Sequence, residues 1–389
     1  MPGKPFMAGL IADLASPDIT VHQERCVLVR NCNTTCLRCA EVCTSGCISF
    51  DGEKLTISPE RCVGCGTCAS VCPTCALEAH RPNDDELVDM CRHAVSQTGG
   101  TLYIACAQHC EHAPVYYDAE KVVVVECLGR VEEMLLTTMV ADGVEDIVLG
   151  YNHCDTCMHH TGGQMCRNVV ATECELLKAW GSDAGIRLSK TLPEQLHVSE
   201  EEAALRAVVG KGRRGPELPA ERKVAPKSSD EPETFNVYQY MKVMDDGTLP
   251  HFIPDRRERL LDALARIGQP DNSLVETRLW GHVIVDVDVC MSCRMCATFC
   301  PTGAIAKFDE GDSVFGIEHY PGDCVKCRMC TNICPTGALT ISDEVHAADM
   351  LGGMVDRYEM QEMAVQRGGP HTIWHMAQGF TKSTQVYER

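Results

Sequence analysis

Between residues 101 and 188 the apolar positions switch between short continuous runs and helical spacing. Residues 101–105 and 121–126 read as buried strands, the second carrying four consecutive valines. Residues 132–140 have apolar side chains at helical intervals, 146–149 form another strand-like run, 164–180 a longer amphipathic helix, and 185–188 a closing strand. Strands alternating with helices predict a small parallel sheet with helical crossovers. The pattern differs on either side. Residues 48–57 hold two short apolar pieces around Asp51-Gly52, which is a hairpin signal. Short strand-like pieces recur at 283–286 and 317–320, and residues 252–267, with the Arg256-Arg257-Glu258-Arg259 face, read as a helix packed on that later unit. Residues 196–233 are rich in Glu, Lys, Arg, Pro and Ser and read as a linker, because they lack the apolar side chains to fold alone. From His346 the chain is amphipathic and methionine-rich (Met350, Met354, Met360, Met363), which predicts a helix packed on the protein itself or a docking element for a partner.

Cysteine changes this picture. The chain of 389 residues has 27, too many for an ordinary cytosolic enzyme, and sixteen fall in four tight runs. Cys62, Cys65, Cys68 and Cys72 precede Pro73 with two, two and three intervening residues; Cys290, Cys293, Cys296 and Cys300 precede Pro301 in the same way, as do Cys324, Cys327, Cys330 and Cys334 before Pro335. The fourth run, Cys32, Cys36, Cys39 and Cys43, has one inserted residue, and Thr44 stands in the proline position. Such runs suit thiolates converging on one metal centre rather than a disulfide framework. Pro301-Thr302-Gly303-Ala304-Ile305 and Pro335-Thr336-Gly337-Ala338-Leu339 are near copies, and Pro73-Thr74-Cys75-Ala76-Leu77 is a third with cysteine in the glycine position. The chain therefore carries an internal repeat, two halves per unit and two units per chain.

These runs resemble bacterial two-cluster ferredoxins and, more broadly, the polyferredoxin-like subunits of hydrogenases and formate dehydrogenases. The resemblance implies four [4Fe-4S] clusters, with the fourth cysteine of each run ligating the other cluster of its pair. Cys32, Cys36, Cys39 and Cys72 would hold one, and Cys62, Cys65, Cys68 and Cys43 the next. Cys290, Cys293, Cys296 and Cys334 would hold the third, and Cys324, Cys327, Cys330 and Cys300 the fourth. The family expects a cysteine where this chain has Asn33, and Cys26 is an alternative to Cys32 as first ligand. Cys47 and Cys75 read as small packed residues.

Cys106, Cys127 and Cys154 each follow a predicted strand, so a parallel sheet would set all three at its carboxyl edge, where ligand sites of such sheets lie. Cys110 and Cys157 are close by in sequence, and the five together suit a further [2Fe-2S] or [4Fe-4S] centre, or a zinc. Cys127-Leu128-Gly129-Arg130-Val131, then Ala141-Asp142-Gly143-Val144, then a glycine and paired cysteines, resembles the delta subunit of methyl-viologen-reducing hydrogenases. That family carries a [2Fe-2S] centre and passes electrons between a hydrogenase and a flavin-containing heterodisulfide reductase subunit. Here Tyr151 stands where the family has the first cysteine of its last pair. His109, His112, His153, His159 and His160 crowd the region and read as ordinary surface or core histidines. Cys91, Cys166 and Cys174 lie on helical patterns and read as packing residues.

The expected fold is α+β, with ferredoxin-like 2[4Fe-4S] units flanking a central α/β domain with a small parallel sheet. The units are a ferredoxin domain at 1–82, the central domain at 83–195, a polar linker at 196–245, a second ferredoxin domain at 246–345 and an amphipathic tail at 346–389. The cysteine-lined central unit reads as a bridge or branch point between the two ferredoxin units. The formal net charge of −20 would move to roughly −28 with sixteen ligating thiolates and four oxidised cluster cores. Such a surface argues against nucleic acid or anionic membrane and for docking on basic patches of redox subunits. No secretory signal and no run of about 18 or more apolar residues is visible, so direct membrane insertion is not expected. The expected place is a reducing, anaerobic cytoplasm. The expected role is an electron-transfer subunit of an oxidoreductase complex rather than an independent catalyst. Its partners would be hydrogenase, formate dehydrogenase or flavin-containing reductase subunits. A ferredoxin-fed thiol/disulfide oxidoreductase, with Cys154-Asp155-Thr156-Cys157 as its redox pair, is the alternative. No G-x-G-x-x-G follows a strand to mark a dinucleotide site.

Overall fold

The computed structural model describes residues 18–204 and 244–361. Most of the expected linker and the tail beyond residue 361, Met363 included, lie outside the described residues.

The N-terminal unit is built from β1 (Ile19–Val21), β2 (Ile48–Phe50), β3 (Leu55–Ile57) and β4 (Leu77–Ala79). β2 and β3 form the expected hairpin over Asp51-Gly52, with Ile48 opposite Ile57. β1 closes the unit by pairing antiparallel with β4, Ile19 opposite Ala79. The side chains that point inward, Ile19, Val21, Ile48, Leu55, Ile57, Leu77 and Ala79, are buried together with Cys39 and Cys68.

The helical pattern around Cys91, whose bounds the apolar positions do not mark, is α1 (Asp84–Thr98), which opens the central unit. Its start is nonetheless written in the sequence: the Asn83 side chain accepts from the Glu86 amide at 2.8 Å while Glu86 accepts from the Asn83 amide at 3.0 Å, a capping box. β5 (Thr101–Cys106), β6 (Val122–Val125), α2 (Glu133–Ala141), β7 (Asp146–Gly150), α3 (His160–Ala179) and β8 (Gly185–Ser189) follow. The four strands form one fully parallel sheet in the order β6-β5-β7-β8. Leu102, Ile104, Ile147 and Leu149 face the helices in the main core, while Tyr103, Ala105 and Val148 face a smaller apolar cluster with Leu192 and Leu196. This alternation is the period-two geometry of a strand covered on both faces.

The C-terminal unit repeats the plan of the first. After α4 (Asp255–Ile267) come β9 (His282–Val285), β10 (Ile305–Gly311), β11 (Val314–His319), β12 (Leu339–Ser342) and β13 (Asp356–Met360). β9 pairs antiparallel with β12 as β1 does with β4, and β10 with β11 as β2 does with β3. β13 adds a third strand beside β11. The described part of the tail therefore departs from the helix expected there. Only Ala347–Met350 is helical, and the chain then becomes a strand whose Met360 is buried against the cysteine loops.

The three units are packed together, and α4 does much of the joining. Expected to pack on the second ferredoxin unit, it also buries Leu260 and Leu264 against Met134 and Leu176 of the central unit. Its consecutive arginines point in different directions, as neighbours on a helix must. Arg256 donates to Ala69 O at 2.7 Å and to Cys75 Sγ at 3.1 Å in the N-terminal unit, and pairs with Glu132 of the central unit. Arg257 donates to Gly322 O at 3.0 Å and lies over the Trp280 ring at 4.0 Å in the C-terminal unit. The two end units also touch directly. Val27 packs with Met329 and Ile333, and Arg38 donates to Lys326 O at 3.2 Å.

Candidate metal centres

The three regular cysteine runs share a backbone conformation. In the first, Gly64 and Gly66 have φ of +66° and +73°; in the second, Ser292 and Arg294 have +58° and +51°; in the third, Lys326 and Arg328 have +51° and +65°. These residues flank the second cysteine of each run. Left-handed backbone turns the intervening N–H groups toward the inside of the loop and makes an anion-binding concavity of the kind that holds iron–sulfur clusters. Glycine adopts this readily, whereas serine, lysine and arginine hold it against a steric cost that persists where function requires it. The irregular run lacks the pattern, since Leu37 has φ of −125°. Cys75 sits at φ of +48°, matching Gly303 at +75° and Gly337 at +68°.

The structure brings thiols together in groups. Cys290, Cys293, Cys296 and Cys334 line one small cavity, and Cys300, Cys324, Cys327 and Cys330 line another. Cys68 is pushed far up by burial and then by Cys65, Cys39, Cys62 and Cys43. In the irregular site burial raises Cys39, followed by Cys72, Cys26 and Cys36. Burial, with Cys72 and Cys36 adding to it, raises the buried Cys26 to about 12. Cys32, half-buried in the turn after Val27–Arg30, is not among the leading charges felt by Cys26, Cys36 or Cys39. The structure thus brings Cys26 into this group.

Sets of four thiols that resist one another's ionisation fit a shared cationic core, which reverses the repulsion and holds all four as thiolates. The donor sets and the loop conformation both suit [4Fe-4S] clusters.

In the central unit Cys106 ends β5, Cys127 follows β6 and Cys154 follows β7, so the sheet does carry all three to its carboxyl edge. Burial raises Cys106, with Cys154 and Cys157 among the further causes, and burial raises Cys127 to about 12, with Cys65, Cys106 and Cys154 adding. Cys110 is set apart. It packs on the other face of the sheet with Tyr103, Val122 and Leu196, and after burial only Cys106 and Glu111 act on it. Fully buried Cys166 lies against the group, its thiol raised to about 12 by burial and then by Cys127, Cys154 and Cys106.

Glycines make room here. A Cβ on Gly162 would lie 2.4 Å from Cys127 Sγ, and one on Gly163 would lie 2.7 Å from Cys154 Sγ. A Cβ on Gly129 would meet Gly162 Cα at 2.7 Å. Of the crowded histidines, His109 is a satisfied core residue, its Nδ1 3.0 Å from Tyr151 O and its Nε2 3.2 Å from Tyr117 Oη.

Residues 34–76 and 289–338 each match the family model of the 4Fe-4S dicluster domain. The chain carries two 4Fe-4S dicluster domains. Residues 101–198 match the model of the methyl-viologen-reducing hydrogenase, delta subunit. A search of curated proteins finds no match. The domains and the delta-subunit-like region together mark an iron–sulfur electron-transfer subunit. Among the described residues, no helix is long and apolar enough to cross a membrane.

The sites adjoin one another in a definite order. Cys296 acts on Cys330, Cys36 on Cys327, Cys39 on Cys68 and Cys65 on Cys127, in each case after burial. Packing agrees where it can be read: Cys36 and Cys327 pack against one apolar cluster of Val27, Met329 and Ile333. The central cysteines, read as a bridge or branch point between the two ferredoxin units, stand beside Cys65 of the first. The two end units also meet directly, at the cluster shared by Cys36 and Cys327.

Proposed function

We propose that the chain is a linear electron relay of five centres, four [4Fe-4S] clusters and a central iron–sulfur centre, serving a larger anaerobic redox complex. In order, the sites are Cys290/Cys293/Cys296/Cys334, then Cys300/Cys324/Cys327/Cys330, then Cys26/Cys36/Cys39/Cys72, then Cys43/Cys62/Cys65/Cys68, and last Cys106/Cys127/Cys154/Cys157. Iron–sulfur clusters exchange one electron at a time and so suit such a relay. The observation that carries the reading is the close approach of the Cys127 loop to the first ferredoxin unit, Gly129 lying against Thr67 beside Cys68, which joins the central thiols to the end of the ferredoxin series.

The residues around the sites do three things in this reading. The left-handed loop residues aim backbone N–H groups at the cysteines. Burial of Cys68, Cys296, Cys324 and Cys330 keeps water from the cluster side of the thiols. Gly129 and Gly162 let the Cys127 loop approach Thr67, next to Cys68, because a Cβ on Gly129 would lie 2.2 Å from Thr67 Oγ1. The partly exposed ends, Cys293 at one terminus and Cys154 and Cys157 at the other, are where donor and acceptor subunits would dock. For the delta-subunit-like end the partner is a hydrogenase or a flavin-containing reductase subunit.

Iron and sulfide analysis of anaerobically purified protein, with EPR of the reduced form, tests this. About 18 or 20 iron atoms per chain, and a central-centre signal abolished by Cys127→Ser, are expected. About 16 iron atoms with no change in Cys127→Ser would remove the central site from the relay.

A further inference from the structure

Away from every cysteine site, three side chains of the C-terminal unit converge. His282 begins β9, His319 ends β11 and Asp356 begins β13, where it stands directly opposite His319 in the strand register. Asp356 Oδ2 lies 2.8 Å from His282 Nε2 and 3.4 Å from His319 Nδ1. No two of the three potential donor atoms are more than 4.8 Å apart. The two imidazoles stack at 5.7 Å between centroids with only 11° between their planes.

We propose that His282, His319 and Asp356 form a zinc site. Two imidazole nitrogens and one carboxylate oxygen are a donor set that zinc takes, with bonds of about 2.0–2.2 Å. Donors of a tetrahedral shell with such bonds stand about 3.3 Å apart, close to the two separations that Asp356 already makes. His282 is only partly buried, at 26% exposure, and is free to close the remaining distance. His319 has no exposure and presents its Nδ1 to Asp356, so the surrounding fold holds that donor atom in place.

With three protein ligands the fourth position is open toward solvent on the His282 and Asp356 side. The ligands come from three strands far apart in sequence, so the ion would fasten β13 to the rest of the unit. The donor atoms are nitrogen and oxygen only, which separates this site from zinc bound adventitiously at a cysteine cluster.

The test uses the full holo-protein, purified anaerobically, loaded with zinc and desalted. One zinc per chain is expected to remain, with a zinc K-edge absorption spectrum fitted by nitrogen and oxygen neighbours at about 2.0 Å. His282→Gln and Asp356→Asn, both at partly exposed positions, are expected to lose at least tenfold in zinc affinity while keeping the wild-type iron content. Failure of the wild-type protein to retain zinc, a sulfur shell in its spectrum, or unchanged zinc affinity in both variants would each overturn the proposal.

Discussion

Cys36 of the N-terminal unit acts on the thiol of Cys327 of the C-terminal unit, across a junction that sequence order does not suggest. Burial does most to raise Cys327, Cys300 and Cys324 follow, and Cys36 then adds its charge from the other end of the chain. Arg30, fully buried beside them, responds in the opposite sense: burial lowers it, and Cys300 and Cys327 partly restore it. The consequence is magnetic as well as electrostatic. Fully reduced protein is expected to show broadened, interacting EPR signals rather than a sum of isolated clusters. Power-saturation behaviour identical to that of isolated clusters would contradict the adjacency.

Cys26 and Cys32 make opposite predictions. Cys26→Ser is expected to lower iron by about four atoms per chain, and Cys32→Ser to leave it unchanged. The reverse result would return Cys32 to the first site. The measurement is iron and sulfide per chain on anaerobic preparations.

Gly162→Ala tests the central site through its packing. The added methyl would start 2.4 Å from Cys127 Sγ, with the Gly129 backbone behind it, so the loop must shift. Overpacking of this kind costs about 1–3 kcal/mol. The central-centre EPR signal is expected to weaken or vanish while the ferredoxin signals persist. Cys110→Ser, on the other face of the sheet, is expected to leave both signals intact.

Glu173 supplies a pH dependence. It is fully buried on α3, accepts from Thr137 Oγ1 at 2.8 Å, and burial holds its carboxyl pKa well above the ordinary carboxylate range. A carboxyl whose folded pKa is raised binds its proton more tightly in the native state. Its share of stability is therefore greatest below the unfolded value near 4.3, and falls as pH rises toward the folded pKa, by up to about 1.4 kcal/mol per pH unit. Glu173→Gln, which keeps the hydrogen bond without the charge, is expected to raise the anaerobic thermal midpoint at pH 7–8. The gain is expected to shrink toward pH 4–5, and a gain independent of pH would contradict the assignment.

Much of the fold was legible because it rests on local pattern. The four valines of β6, the short continuous apolar runs of β5 and β7 and the Asp51-Gly52 turn each commit their segment to one conformation. The helical pattern at Cys91 marks α1 without its bounds, and the capping box of Asn83 and Glu86 fixes where it starts. The described tail has methionine spacing that fits a packed helix or a docking element equally and does not mark a strand. Pairing with β11 decided for a strand, as tertiary context does when propensity is weak. The candidate sites were legible in the same uneven way. Three runs carry their own spacing, and the structure gathers them as that spacing implies. Cys26 could be named only as an alternative, because its approach to Cys72 depends on β1 pairing with β4.

The sequence by itself determined that thiols would cluster in fours, since two- and three-residue spacings let a single loop turn its cysteines inward. It also determined that three more cysteines would share a sheet edge, since strand direction sets where a parallel sheet ends. Only the tertiary structure decided the order of the sites. That order depends on Val27 meeting Met329 and Ile333, on two successive arginines of α4 gripping different units, and on glycines that let the Cys127 loop reach Thr67. Each is a contact between residues far apart in the chain. Local spacing says nothing about such contacts, because burial and close packing choose them only when the whole molecule has formed.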